Sequence, residues 1–455
     1  MFARIVFLLA ILAFPSQAID SECISSLATP KFRNIVLVEG AGDVTKRFYG
    51  PAYKKVREQY REKIDFVLYC ADDSRYWKDD PKRAPKMRET WAFLRSLGIT
   101  VLDKSVPEEF ETYKTLAADT VIVANIASAH AKAVMDALQR PHPPKTIFVE
   151  KVLDSDLDVA MDLMGELTPF NDRVWAYDHY RARVTLDDEQ IRIVQDFLGG
   201  HIKSSTFYFL EDRSGADATL PDTVDKARDG AAEIENRVAV LNDGVVLDLM
   251  SHFFPLLRDF GQLETIRPTE IKAARYKGVD GDPDKPTDVV GETYASFKFV
   301  FQDRNGNLAE GAAFVGKGVR GVRALGPEFE HNAKLLEFVG ANGNRVKFDL
   351  RSKGAGASMA YLVNAKGKVQ FQIPLNADPY AIFLDKIADR GADERQVALN
   401  VEQNFTTLKL LDVIRRQIAR HGDKVLLYPG GMRSGRMAPY MEELEAFLPP
   451  LLGKR

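Results

Sequence analysis

The chain has 455 residues, 45% hydrophobic and 28% charged, with a formal net charge of −3. That length exceeds what one hydrophobic core usually fills, so two domains are expected, and the near-neutral balance excludes a strongly basic surface for nucleic acid. Cys23 and Cys70 are the only cysteines, so no disulfide framework holds the fold.

Arg4 precedes an apolar run from Ile5 to Phe14, and Pro15-Ser16-Gln17-Ala18 closes it with small residues, the pattern of a secretory signal peptide over residues 1–18. The run is shorter than the ~20 residues a spanning helix needs. Export to a periplasm or secretory-pathway lumen is expected, with no membrane attachment after cleavage; without a working signal the chain would be cytoplasmic. Residues 19–33 read as a linker around Pro30.

Ile35-Val36-Leu37-Val38 is a continuous β-prone run, as in a strand buried on both faces of a parallel sheet. The turn residues Glu39-Gly40-Ala41-Gly42-Asp43 follow, and apolar spacing at Val44, Phe48, Ala52 and Val56 predicts a helix to about Tyr60. Further strands are expected at 66–69, 99–102, 121–124 and 146–149, with helices at 88–97 and 130–139. This alternation predicts a doubly wound parallel sheet of Rossmann type over residues 34–177. Beyond it, β-prone segments at 203–210, 293–301, 308–315, 335–339, 346–350 and 369–373 predict an α+β domain, 178–455, on a large, mainly antiparallel sheet, with helix returning over 379–420. Irregular loops are expected within 180–221 and 278–290, around the strand at 203–210. The second domain is expected to bind substrate and, through its sheet, to form a homo-oligomer.

A strand that ends in glycines and opens into a helix points bare N–H groups and the positive helix end at an anion. Gly40, Gly42 and Asp43 supply such a turn. The stretch from Val38 to Arg47, continuing to Pro51-Ala52-Tyr53, is similar to the cofactor turn of glucose-6-phosphate dehydrogenases, Gly-Ala-Ser-Gly-Asp-Leu-Ala-Lys-Arg. Aligned on Gly42-Asp43, that family's first glycine falls on Glu39. The resemblance implies that Arg47 meets the 2′-phosphate of NADP, whereas an acid at the end of the second strand, Asp72 or Asp73, favours the 2′-hydroxyl of NAD. The expected cofactor is therefore NADP or NAD.

Oxidising a carbinol carbon by hydride transfer also needs a base for the hydroxyl proton. His252 stands four residues after Asp248, on one face of a helix. Phe148-Val149-Glu150-Lys151 resembles the Glu-Lys-Pro site of the Gfo/Idh/MocA oxidoreductases, with Val152 in place of proline. That resemblance implies that Lys151 reaches the substrate, that Glu150 borders the cofactor, and that Asp248 and His252 match the family's Asp-x-x-x-His. Ala124 to His130 resembles the same family's post-strand motif, which places His130 near the nicotinamide unless it merely begins a helix.

Trp175-Ala176-Tyr177-Asp178-His179-Tyr180-Arg181-Ala182-Arg183 is similar to Arg-Ile-Asp-His-Tyr-Leu-Gly-Lys of the sugar-phosphate enzymes, without the Leu-Gly pair. It implies that Asp178 orients His252 as general base while His179, Tyr180 and Arg183 bind a phosphate. No metal site is implied. The expected function is NAD(P)-dependent oxidation of C1 of an aldose or aldose phosphate to a lactone. The alternatives are a Gfo/Idh/MocA-type reaction on a free sugar or cyclitol, and a catalytically silent cofactor-binding protein, which Glu39 and Val152 would mark.

Overall fold

The computed structural model describes residues 32–211 except 82, 126–128, 152, 155 and 187; 244–277 except 262; 294–317 except 304; 329; 332–351; 358–389; 397–420; and 426–429. The signal peptide, Cys23, almost all of the linker, and the expected loop at 278–290 lie outside the described residues.

The first sheet contains β1 (Phe32–Glu39), β2 (Ile64–Asp72), β3 (Thr100–Asp103), β4 (Thr120–Val123), β5 (Thr146–Glu150) and β6 (Val174–Tyr177) in the order β3-β2-β1-β4-β5-β6. These strands are all parallel to their neighbours. Successive β1 side chains enter opposite layers. Val36 and Val38 join Tyr53, Val56, Trp91 and Leu94, while Leu37 joins Val134 and Leu157. Burial on both faces is why these strands read as unbroken apolar runs. A short antiparallel strand from far along the chain, Ala398–Asn400, adds to the β6 edge.

The helix after the glycine turn is not uniform. Residues Thr45–Tyr49 form a π-helical turn before the α-helix Gly50–Tyr60. Pro51 has no N–H to return to the Arg47 carbonyl, and the wider turn accommodates that loss. The extra residue shifts the buried face by one position. Phe48, expected inside, is 37% exposed, and Tyr49 is fully buried in its place.

Among the described residues the second sheet has nine strands. In chain order they are β7 (Ile202–Glu211), β8 (Leu263–Lys277), β9 (Tyr294–Asp303), β10 (Leu308–Lys317), β11 (Asn332–Gly340), β12 (Arg345–Asp349), β13 (Met359–Val363), β14 (Val369–Pro374) and, past the Ala398–Asn400 strand (β15), β16 (Leu426–Pro429). Across the sheet the order is β14-β13-β12-β11-β7-β10-β9-β8-β16, antiparallel except at β7/β10 and β8/β16. Helix Gly244–Gly261 packs on β7 to β10, and helix Val401–Arg420 packs on that helix and β8.

Strand β7 covers the expected 203–210 run, but the stretch before it, where irregular loop was expected, instead forms helices His179–Arg183 and Asp188–Phe197. Ile191, Val194 and Leu198 recur at helical spacing and face the core. Strand β8 gave no clear signal. Pro268 and its charged neighbours interrupt the alternation, and the register shifts beside Pro268 to absorb the missing donor. Among the described residues no helix is long and apolar enough to cross a membrane.

Candidate active site

The two glycines of the turn do different work. Gly40 has φ +118°, and a Cβ there would lie 3.0 Å from the Ala124 carbonyl and the Asn125 Cα, so the fold itself demands glycine. A Cβ on Gly42 would meet nothing within 4 Å. Open space at the mouth of a strand-to-helix turn suits the phosphates of a dinucleotide. Glu39 is the last residue of β1 rather than part of the turn. Its carboxylate is buried beneath the crevice, 2.8 Å from Lys104 Nζ and 3.9 Å from Arg140 Nη1. Arg140 in turn donates to the Tyr113 carbonyl. The residue that falls at a family glycine is thus a charge-paired strand end.

Asp72 closes β2 directly across from this turn, accepting hydrogen bonds from the N–H groups of Asp73, at 2.8 Å, and Ala41. Burial pushes its pKa up, and those N–H groups together with Lys104 oppose the shift. Asp73 is committed elsewhere. It caps the 3₁₀ turn Ser74–Tyr76 and holds Arg75 at 2.9 Å, a pairing that keeps its pKa below the ordinary value. Asp43 and Arg47 form an exposed pair at 3.1 Å.

Glu150 ends β5, and its carboxyl accepts a 2.6 Å hydrogen bond from the Tyr49 hydroxyl. Burial raises its pKa to about 7 against the stabilising hydrogen bonds of Tyr49 and Tyr380 and the charge of Lys151. Tyr380 arrives on helix Pro379–Ala388, edge-on to Tyr49 at 5.0 Å. Glu150 therefore links the helix that follows the glycine turn to the far side of the crevice. Lys151 donates its backbone N–H to Tyr177 O and shares the wall of a small cleft with Asp178, Ser251, Pro255 and Asn404.

The sharpest geometry lies between β6 and helix Gly244–Gly261. Asp178 is 3% exposed and caps helix His179–Arg183, its Oδ1 accepting from the Tyr180 N–H at 2.8 Å. The same oxygen lies 2.8 Å from His252 Nδ1, and His252 is 2% exposed. An ionised Oδ1 can only accept, so Nδ1 carries the proton and Nε2 is left with its lone pair. Arg181 fastens the cap helix to the His252 helix through Asp259, at 2.7 Å, and also donates to the Ala398 carbonyl. It stands where the resembling motif has leucine.

Beside this dyad is a group of cations. The His179 ring lies 5.0 Å from that of His252 and stacks on Tyr380 at 5.9 Å. Burial, then the charges of His252, Lys151, Lys334 and Arg183, hold its pKa well below the ordinary histidine value. Arg183 is buried, donating to Ser358 Oγ at 2.8 Å, and among the described residues no carboxylate lies within ion-pair distance of it. Lys334 Nζ donates to the Tyr180 hydroxyl at 2.8 Å. A buried guanidinium without a counterion is costly, so convergent cations of this kind point to an anionic ligand.

The structure thus brings together Lys151, Asp178, His179, Tyr180, Arg183 and His252. Asp248 lies one turn before His252 on the same helix, and its side chain falls outside the described residues. His130 is buried at the start of its helix, donating Nε2–H to Asn125 O at 3.0 Å. Lys334, Tyr49, Tyr380 and Ser358 were missed. A lone lysine in a strand carries no signal, and the π turn hid Tyr49. Asp178, His179 and His252 also offer ligand atoms within 4.8 Å of one another, a donor set a divalent cation could use, although Asp178 Oδ1 already accepts from two backbone N–H groups and His252.

Neither a protein-family profile nor a curated protein sequence matches the chain. Solved structures do match in fold. A glucose-6-phosphate dehydrogenase in complex with glucose 6-phosphate aligns over 91% of this chain and 98% of its own, with TM-score 0.54 and 15% identity. Levoglucosan dehydrogenase in complex with NADH gives 85%, 97%, 0.57 and 15%. The 3-ketoreductase KijD10 from Actinomadura kijaniata, in complex with NADP and TDP-benzene, gives 88%, 99%, 0.55 and 14%. The chain has the two-domain fold of glucose-6-phosphate dehydrogenase-like and Gfo/Idh/MocA-type NAD(P) oxidoreductases.

Proposed function

We propose that the chain is an NAD(P)-dependent dehydrogenase that oxidises C1 of an aldose phosphate to a lactone. The buried Asp178–His252 pair, set at the head of the cation group, carries this reading. His252 Nε2 takes the proton of the C1 hydroxyl, and Asp178 stabilises the imidazolium that forms and fixes the tautomer beforehand. Lys151 holds the reacting oxygen. His179, Tyr180, Arg183 and Lys334 hold the phosphate, with Arg183 offering the planar fork that suits its oxygens. A dinucleotide, for which the turn at Gly40 and Gly42 would hold the phosphates, would supply the hydride acceptor for this oxidation.

The cation group favours a phosphorylated sugar over a free one. The paired, buried state of Glu39 removes one reason for reading the site as silent. The full chain should reduce NAD or NADP with aldose 6-phosphates in the presence of a chelator, and with free aldoses far more slowly. Equal rates on both sugars would exclude the phosphate role, and no turnover across the panel would exclude the enzyme. Loss of activity on chelation would reassign Asp178, His179 and His252 to a metal.

A further inference from the structure

Among the described residues Ser358 is the single non-glycine with positive φ, at +55°. A residue with a Cβ reaches this left-handed region only under strain, which glycine would escape. Strain of this kind persists where the surroundings impose it, and such places cluster at functional sites. Ser358 stands just before β13, and its carbonyl accepts from the Leu375 N–H, just past β14, at 2.8 Å. The residue is buried, and both partners of its hydroxyl are fixed by the fold. The O–H donates to the Arg351 carbonyl at 3.0 Å, which leaves only lone pairs, and these accept from Arg183 Nη1 at 2.8 Å. Arg351 is itself immobile. Its guanidinium makes a two-pronged contact with buried Asp349, at 3.0 and 2.6 Å, and lies 4.1 Å from the centre of the Phe329 ring.

On Arg183 both side-chain hydrogen bonds use Nη1, the second reaching the Ala377 carbonyl at 3.5 Å. The Nε–H is buried and has no partner among the described residues. An unmet N–H on a buried cation is costly, and a ligand oxygen is the acceptor that would complete it. We propose that Ser358 is a positioning residue for anion binding: by holding Nη1 it leaves the Nε–Nη2 edge of Arg183, fixed in one orientation, to meet two oxygens of one phosphate. This goes beyond the proposed function and rests on it only in placing a phosphate at Arg183. Guanidinium recognition of phosphate gains strength and specificity when two parallel N–H groups are aligned at once, and a freely turning fork loses that alignment. Glycine at 358 would relax the backbone but lose the anchor, so the hydroxyl accounts for the strained serine.

The test is binding of inorganic phosphate to the full chain by calorimetry, beside the kinetics of aldose 6-phosphates and free aldoses. Wild type should bind phosphate, and Arg183→Ala should abolish that binding. Ser358→Gly removes the hydroxyl and the strain together, Ser358→Ala removes the hydroxyl alone, and both should weaken phosphate binding about tenfold. In turnover both should raise KM for the aldose phosphate by a similar factor, with kcat within about twofold and KM for the free aldose unchanged. Ser358→Thr keeps the hydroxyl and should bind phosphate within about threefold of wild type. Unchanged phosphate affinity in folded Ser358→Gly and Ser358→Ala, or a Ser358→Thr variant as weak as Ser358→Ala, overturns the inference and leaves the phosphate reading standing. A wild type that binds no phosphate overturns both. Phosphate binding that depends on Ser358 in a chain without dehydrogenase turnover upholds the inference and removes the proposed reaction alone.

Discussion

The two ends of the crevice carry opposite charge. At the ends of β2 and β3 stand Asp72, Asp73 and Asp103, while around His179 stand Lys151, Arg183 and Lys334. A chain with a net charge of only −3 has therefore segregated its charges over one binding groove. The contrast teaches that bulk charge says nothing about whether a site holds one phosphate. What matters locally is whether a cation is already paired. Lys104 and Arg75 are spent on Glu39 and Asp73, whereas Arg183 is buried with hydroxyl and carbonyl partners.

The largest effect should come from the sugar end. His252→Asn is expected to lower kcat by about 10³-fold or more while NADH binding stays within a factor of about two. A kcat within tenfold of wild type would remove His252 as the base.

Glu150 tests the wall between the two ends. Its carboxyl ionises at about 7 in the folded chain against an ordinary value of 4.5. The folded state therefore holds this proton more tightly than the unfolded state, so the stabilisation is full below pH 4.5 and is lost as pH rises through 7. Wild type should lose on the order of 3 kcal/mol from this group across that window, and Glu150→Gln should flatten the slope. Urea unfolding at pH 5 and pH 8 measures it; parallel losses in both proteins would show that Glu150 is not the cause.

Lys334→Met should raise KM for an aldose phosphate by about tenfold and change KM for a free aldose little. Similar increases for both would mean that Lys334 supports Tyr180 without meeting the phosphate. The smallest effect belongs to Arg47→Ala, which should change NADH affinity by less than about threefold, since its ion pair is exposed. A tenfold loss, measured by titration of NADH fluorescence, would place Arg47 on the nucleotide after all.

Much of the crevice was legible because its parts are local. Gly40, Gly42, the strand before them and the helix after them are contiguous, and so are Glu150-Lys151 and Asp178-His179-Tyr180. Side-chain chemistry at fixed spacing survives in a linear reading. Tyr49 did not, because the widened turn before Pro51 breaks the helical period on which the reading of Phe48 depended. Nor did Arg181, whose partners Asp259 and Ala398 lie far along the chain.

By itself the sequence determined the alternating strands and helices of the first domain, the glycine turn and the residue types able to move a proton. Those follow from hydrophobic period and local backbone geometry. Only the tertiary structure closed the distance between acid and base. The family resemblance implied Asp178 as the partner of His252, and the end of β6 brings its carboxylate to 2.8 Å from the His252 ring. Packing also turned Glu39 under the sheet onto Lys104, and so set which cations remain for a ligand. Pairings of this kind depend on distances closed between remote segments, and no local spacing encodes them.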